Sequence, residues 1–174
     1  MTILLPNQQS LKPEEAGFSF EIGKLFYQGE ETTQDLTLAA QLYLKAAEKG
    51  YTEAQFQLGL MYLQGKGVPQ SFIQAAQWFY TAAEFGHIDA QYQLGLRYEK
   101  GEGVPQNRLK AFKWYKKAAE QGQYQAKKRI AEDYQTRYRT ATTLLNQWMS
   151  EAPEDDEKVW PQIERELEQE RHGL

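Results

Sequence analysis

Residues 54–89 read AQFQLGLMYLQGKGVPQSFIQAAQWFYTAAEFGHID, and residues 90–125 read AQYQLGLRYEKGEGVPQNRLKAFKWYKKAAEQGQYQ. The two stretches align without a gap, and 18 of their 36 positions are identical. Residues 18–53 form a weaker earlier copy, and residues 126–149 begin a fourth copy that soon departs from the pattern. A period of this length is typical of arrays in which each repeat is one supersecondary unit stacked on the next.

Each copy is predicted to contain two helices joined by a short loop. In the second copy the loop QGKGVPQ ends the first helix, because its glycines can adopt a positive φ and Pro69 cannot continue a helix. The second helix of each copy is predicted to start after a residue preferred as an N-cap. These residues occupy the same repeat position in the three copies: Asp35, Ser71 and Asn107. The end of the second helix is marked by glycines at one repeat position, Gly50, Gly86 and Gly122. The helix boundaries are therefore predicted from several copies at once.

Gly59 and Gly95 lie inside the predicted first helices, where glycine costs about 1 kcal/mol relative to alanine. Their recurrence at one repeat position predicts a close approach of the paired helix. The expected facing residues are the small ones of the second helix, Ala82–Ala83 and Ala118–Ala119. Trp78 and Trp114 are expected to fill the space between repeats.

The motif A-x-x-x-L-G-x-x-Y-x-x-G-x-G-V-P, followed by A-x-x-W and A-A-E-x-G, resembles the Sel-one-like repeat (SLR) family of tetratricopeptide-like α/α repeats. The resemblance covers residues 18–135 and is most specific in the second and third copies. It implies an all-α fold, a right-handed α/α solenoid of about three 36-residue repeats. An N-terminal helix and a long C-terminal capping helix are expected at its ends.

The chain is expected to be organised as one array with two extensions. Residues 1–12 are predicted to be a flexible N-terminus, and residues 13–149 a single solenoid domain in which residues 126–149 cap the last repeat. Residues 150–174 are predicted to be an acidic amphipathic tail. An apolar stripe at helical spacing in this tail is expected to dock either on the array or on a partner; its residues are Trp160, Ile163 and Leu167.

Composition excludes several functional classes. The 174 residues include no cysteine, which rules out a cysteine nucleophile, a disulfide framework and a thiolate metal site. The two histidines cannot by themselves supply a three-histidine zinc site. No apolar run approaches the roughly 20 residues that span a bilayer, and the first residues carry no secretion signal, so we expect a cytoplasmic protein. No motif for a catalytic group, a metal or a cofactor is evident, and His87 is expected to be structural. The chain is therefore predicted to be non-enzymatic and without a cofactor.

The resemblance also implies a binding surface, because in tetratricopeptide-like arrays the first helix of each repeat lines a concave groove. The L-G-x-x-Y register places nine residues there: Phe20, Lys24, Tyr27, Phe56, Leu60, Leu63, Tyr92, Leu96 and Glu99. The aromatic residues at one repeat position either form a ladder for a bound peptide or pack between repeats. We expect a partner protein or peptide in this groove, with the chain acting as an adaptor or inhibitor. A narrower alternative is an immunity protein that neutralises a secreted toxin, and a signalling or secretion component is another possible partner.

The net charge of −4 is distributed unevenly: residues 1–96 carry −5, residues 97–139 carry +7 and residues 140–174 carry −6. The basic block at 97–139 includes Lys110, Lys113, Lys117, Lys127, Lys128 and Arg129. It is interpreted as a solvated face or as a surface for an acidic partner, which includes the chain's own tail. Nucleic-acid binding is less favoured, because the whole chain is acidic. The resemblance also raises weak β-lactam binding or hydrolysis, which the lack of a Ser-x-x-Lys motif disfavours.

Overall fold

Helices account for all the regular secondary structure in the computed structural model, which describes residues 13–29 and 33–151. Seven helices and no strand lie in these ranges: α1 Pro13–Gln28, α2 Leu36–Glu48, α3 Thr52–Gln64, α4 Phe72–Glu84, α5 Ile88–Lys100, α6 Arg108–Glu120 and α7 Tyr124–Glu151. The predicted all-α repeat fold is confirmed, with α1–α2, α3–α4 and α5–α6 as the three helical pairs. The expected flexible N-terminus and the tail residues Trp160, Ile163 and Leu167 lie outside the described residues.

The helix ends form where the caps were predicted. Asp35, Ser71 and Asn107 each accept a hydrogen bond from the backbone amide three residues further on, at 2.9, 3.3 and 2.9 Å. Each bond satisfies an amide that has no partner inside the helix. The glycines that follow the second helices have positive φ angles of 87, 87 and 96°, in the order Gly50, Gly86 and Gly122. These caps fix the lengths of α2, α4 and α6 at 13 residues each.

The core runs along the array as successive clusters between neighbouring helices. Its largest fully buried side chains are Phe79, Leu58, Met61 and Leu94. The second helices contribute paired buried alanines, such as Ala75 and Ala76, which let adjacent helices approach closely. Contacts are densest between helices that follow one another in sequence. This nearest-neighbour pattern is the one expected of a solenoid.

The glycines inside the first helices pack against aromatic rings, so the prediction that alanine pairs face them was wrong. A Cβ at Gly59 would lie 2.7 Å from the ring of Phe79, and a Cβ at Gly95 would lie 2.5 Å from the ring of Tyr115. The ring lies directly over the bare backbone and fills the space that a side chain would occupy. Trp114 does lie between repeats, edge-on to Tyr80 at a centroid distance of 6.2 Å.

The described residues divide into two compact units within α7, after Ile130. In the first unit, Ala126 and Ile130 of α7 pack on the last core cluster. In the second unit α7 continues to Glu151, and threonine hydroxyls donate to the carbonyls four residues earlier, as Thr136 does to Glu132 at 2.8 Å. None of the described side chains between residues 131 and 147 is buried. The expected capping helix over 126–149 is therefore part of a longer helix, and its residues in the first unit pack on the core.

Candidate functional site

The first-helix surface is formed by the nine side chains predicted for the groove, which project from α1, α3 and α5. Lys24 is exposed and Phe20 is buried, with only 8% of its surface accessible. The other seven are half-buried: Tyr27, Phe56, Leu60, Leu63, Tyr92, Leu96 and Glu99. Half-buried side chains on helices are held in place by packing and still offer surface to a partner. That these residues bind a partner remains a prediction.

Phe20 packs between repeats and leaves little surface for a ligand. Its ring is stacked on Tyr43 of α2 at 5.3 Å and tilted against Tyr51, which precedes α3, at 4.9 Å. Of the two predicted roles for this aromatic position, a ladder for a bound peptide or packing between repeats, Phe20 has the second. Tyr92, at the same repeat position, lies 5.7 Å from Tyr115 and keeps part of its surface accessible.

His87 joins the starts of α3 and α5. Its Nδ1 accepts a hydrogen bond from the Ala90 amide at 3.2 Å and caps α5, while Nε2 lies 3.0 Å from a carboxylate oxygen of Glu53. Since Nδ1 accepts, the ring proton is on Nε2 and is donated to Glu53. The ring also stacks on Phe56 at 4.5 Å. The expected structural role of His87 is confirmed, and its imidazole also shapes the first-helix surface beside Phe56.

Glu53 is held ionised within this arrangement. Burial by itself raises the pKa of Glu53, but hydrogen bonds from Gln57 and His87 and the positive charge of Lys24 outweigh it, so the pKa lies below its ordinary value. The next repeat has a related contact, in which Gln123 donates to Asp89 at 3.4 Å. Both pairs are separated by 34 residues, so each links one repeat to the next.

The Glu99 cluster, formed by Tyr92, Glu99, Tyr115 and Arg129, makes the third repeat polar. The Tyr115 hydroxyl donates to one carboxylate oxygen of Glu99 at 2.6 Å, and Arg129 lies 3.8 Å from the other. A hydrogen bond to Tyr92 is the main cause that raises the pKa of Arg129. In the preceding repeat the positions of Glu99 and Tyr115 are occupied by Leu63 and Phe79. The first-helix surface therefore changes from apolar to charged between the second repeat and the third.

We expect Tyr115→Phe to flatten the loss of stability at alkaline pH. Burial, followed by the bond to Glu99, raises the pKa of Tyr115 well above its ordinary value of 10. The protonated phenol is bound more strongly in the folded state, so its contribution is fully present below pH 10 and is lost as pH rises further. Urea titrations of both proteins between pH 8.5 and about 11 should show a smaller fall in unfolding free energy for the variant. Phenylalanine is the residue that the preceding repeat carries at this position, in Phe79. Parallel curves for the two proteins would contradict the assignment.

The basic block is spread over α6 and the first turns of α7. Lys110, Lys113 and Lys117 lie along α6, with Lys110 over the ring of Tyr98 at 5.4 Å. Arg129 belongs instead to the Glu99 cluster. The two remaining predicted residues, Lys127 and Lys128, are exposed on α7. The six residues thus divide among different surroundings.

The described part of the chain offers no metal site and no membrane span. Within residues 13–29 and 33–151, no group of three or more histidine, aspartate or glutamate side chains is arranged to hold a metal ion. None of the helices in those ranges is both long enough and apolar enough to cross a bilayer.

Sequence reasoning missed the buried glutamines that join repeats. Gln55 donates to the Ala47 carbonyl at 3.0 Å, and Gln91 donates to the Ala83 carbonyl at 3.2 Å. Both glutamines are buried, and each adds a hydrogen bond to a carbonyl near the end of the preceding second helix that also accepts from a glycine amide. The repeated Ala-Gln dipeptide at 54–55 and 90–91 was the available signal.

The structure is that of an α/α repeat protein of the solenoid class. Its defining features are the paired helices, the glycine–ring contacts and the surface along α1, α3 and α5. The family model of the Sel1 repeat matches residues 19–51, 52–87 and 88–123, and the chain belongs to this family. The Sel-one-like resemblance is thereby confirmed. Sel1 repeat proteins generally mediate protein–protein interactions, and the family is generally a non-enzymatic scaffold. No curated protein matches the chain.

Solved structures agree with this assignment. A Sel1 repeat protein from Oxalobacter formigenes is 39% identical, with a TM-score of 0.64 over 68% of this chain and 89% of that one. A protective antigen of uropathogenic Escherichia coli with an SLR fold is 42% identical, with a TM-score of 0.61 over 64% of this chain. The match spans only 26% of the antigen. The Helicobacter pylori cysteine rich protein B, 24% identical with a TM-score of 0.53 over 67% of this chain and 95% of that one, shares the fold.

Proposed function

We propose that this protein is a non-enzymatic adaptor or inhibitor that binds a partner protein or peptide on its first-helix surface. The observation that carries the proposal is that three successive first helices each present half-buried side chains at the predicted positions, one on α1 and three each on α3 and α5. Because these side chains are packed against neighbouring rings, little conformational entropy is lost when a partner binds. Family membership supports the same function.

The chemistry of the surface limits the partner. Lys24 and Tyr27 lie at one end, Leu60 and Leu63 in the middle, and the Glu99 cluster at the other end. An extended or helical segment with apolar residues at its centre and polar groups at its ends fits this order. The apolar centre is expected to supply most of the affinity, since exposed charge pairs contribute little.

We expect Leu63→Glu to weaken partner binding at least tenfold, because it places a charge in the apolar centre. Affinity capture from the host lysate with mass spectrometry would identify the partner, and calorimetry would then measure its affinity. Phe85→Glu is the matched control, since it introduces the same charge at a side chain that is 71% exposed at the end of α4. Circular dichroism would check that both variants are folded. A partner that binds wild type and Leu63→Glu equally would refute binding at this surface.

The nature of the captured molecule distinguishes the narrower roles. A secreted toxin that the chain inactivates would assign the immunity role, while a signalling or secretion component would assign an adaptor role. Retention of nucleic acid with a steep inverse dependence on salt would replace the proposal with the alternative based on the basic block. Hydrolysis of a chromogenic β-lactam, abolished by a point substitution, would replace it with an enzymatic one.

A further inference from the structure

A further apolar recess lies where α4, α5 and the loop that follows α5 meet, and none of the nine first-helix residues lines it. We call it the α4–α6 groove; it has a volume of about 350 Å³ and is lined in part by Ile73, Tyr80, Tyr98 and Val104. Ile73 is 59% exposed and Tyr80 is 48% exposed, although both are large apolar side chains. They stand two helical turns apart on α4, on the same face. The groove therefore has an accessible apolar wall.

Basic side chains of α6 lie beside the groove, over a ring that lines it or over the neighbouring Trp114. Lys117 of α6 lies over the Trp114 ring at 4.2 Å, and Trp114 in turn meets Tyr80 edge-on. Lys110 lies over Tyr98, another lining residue, at 5.4 Å. Lys113 is exposed one helical turn from Lys110. Lysines that lie over aromatic rings keep their charge beside the apolar recess, where it is available to an anionic group.

Few acidic side chains lie close enough to these lysines to offset their positive charge. The carboxylate of Glu84 lies 4.0 Å from Lys117, and both side chains are about half exposed, so the pair is weak. The α6 helix contains five basic residues and a single acidic one, Glu120. The α6 side chains beside the groove are therefore net positive, whereas α4 contains no basic residue and one acidic residue, Glu84, at its end.

The preceding repeat provides an internal comparison. The positions of Lys110, Lys113 and Lys117 are occupied on α4 by Gln74, Gln77 and Thr81. The lysines are thus not required by the repeat fold, which forms equally well with uncharged residues there. Of α4 and α6, only α6 carries lysines at these three positions.

We propose that the α4–α6 groove binds an acidic amphipathic helix of a partner protein. The occupant places an aliphatic or aromatic anchor between Ile73 and Tyr80 and directs carboxylates at the lysines of α6. The distance from Lys110 to Lys117 along the helix is about 10 Å, or two turns, which matches acidic residues spaced at i, i+3 and i+7. This site is separate from the first-helix surface, so its test is independent of the proposed function.

The test uses the full-length chain and a fluorescein-labelled designed peptide of about three helical turns. The peptide carries glutamates on one face and leucine with one tryptophan on the other. Fluorescence polarisation is expected to show saturable binding that weakens at least tenfold in the triple variant K110Q/K113Q/K117T. The control K45Q/K66Q/R139Q removes the same charge at exposed positions outside both surfaces and should bind as wild type does. Ile73→Gln should also weaken binding at least threefold, without a change in melting temperature.

Several results would overturn the proposal. One is that the peptide does not bind the wild-type chain. Another is that both triple variants lose the same affinity for the peptide, which would show that binding depends on overall charge alone. Binding that appears only after Trp160→Ala in the full chain would assign the groove to the chain's own residues 152–174. A dimer in sedimentation velocity that Ile73→Glu disrupts would assign it to a second copy. Tighter binding of single-stranded DNA, unaffected by Ile73→Gln, would assign the lysines to nucleic acid.

Discussion

Gly95→Leu is expected to abolish or strongly broaden the cooperative thermal unfolding of the array. The first atom of any side chain at this position would lie 2.5 and 2.6 Å from two ring atoms of Tyr115, before the rest of leucine is placed. The ring cannot easily retreat, because Tyr115 is buried and its hydroxyl is bound to Glu99. Overpacking typically costs about 1–3 kcal/mol, and a leucine here should reach or exceed the upper end of that range. Differential scanning calorimetry would measure the effect.

Gly17 provides the control for this substitution. It lies within α1, and a Cβ there would meet nothing within 4 Å. Gly17→Ala should therefore be neutral or stabilise the helix by up to about 1 kcal/mol, whereas Gly95→Ala should destabilise. In a double-mutant cycle, Tyr115→Ala should reduce the cost of Gly95→Ala, because it removes the ring that the methyl group meets. An unchanged melting temperature for Gly95→Leu would show that the packing described here is incorrect.

Phe79→Ala is expected to lower the unfolding free energy by about 3–5 kcal/mol. Phe79 is fully buried, covers Gly59 and lies 5.9 Å from the ring of Phe56. Truncation leaves a cavity next to a glycine, and no neighbouring side chain at position 59 can fill it. The fall in melting temperature should be roughly 10 °C or more, given the usual relation between stability and melting temperature.

Phe85→Ala is the matched control, because this phenylalanine is the C-cap residue of α4 and is 71% exposed. Its substitution should change the unfolding free energy by no more than about 0.5 kcal/mol. Equal effects of the two substitutions in urea titrations would mean that Phe79 does not support the junction between α3 and α4.

The helical pairs could be predicted because each boundary is encoded several times. Asp35, Ser71 and Asn107 repeat one local signal, and a cap depends on atoms within three residues. The partners across the interface were less predictable. Alanine pairs and aromatic residues both recur on the second helices, and spacing alone does not decide which of them meets Gly95. Only the rotation of α6 places Tyr115 over the glycine.

The site was predictable in position and less so in detail. The nine groove residues do lie on the first helices, but Phe20 is buried because Tyr43 of α2 and Tyr51, which precedes α3, pack on its ring. The basic block appeared as one feature because charges were summed along the sequence. In three dimensions Arg129 turns to Glu99, whereas Lys117 lies over Trp114. Linear charge counts contain no information on which helical face a residue occupies.

The hydrogen bond between His87 and Glu53 limits which insertions can lengthen the array. Its counterpart between Gln123 and Asp89 spans the same 34 residues, so each repeat offers the next one a related point of attachment. A further 36-residue copy inserted after Asp89 would find suitable neighbours on both sides, whereas a shorter or longer insertion would shift every later contact out of register. Duplication of whole repeats is therefore the natural route to a longer binding surface, and engineers can use the same junction to lengthen it one repeat at a time.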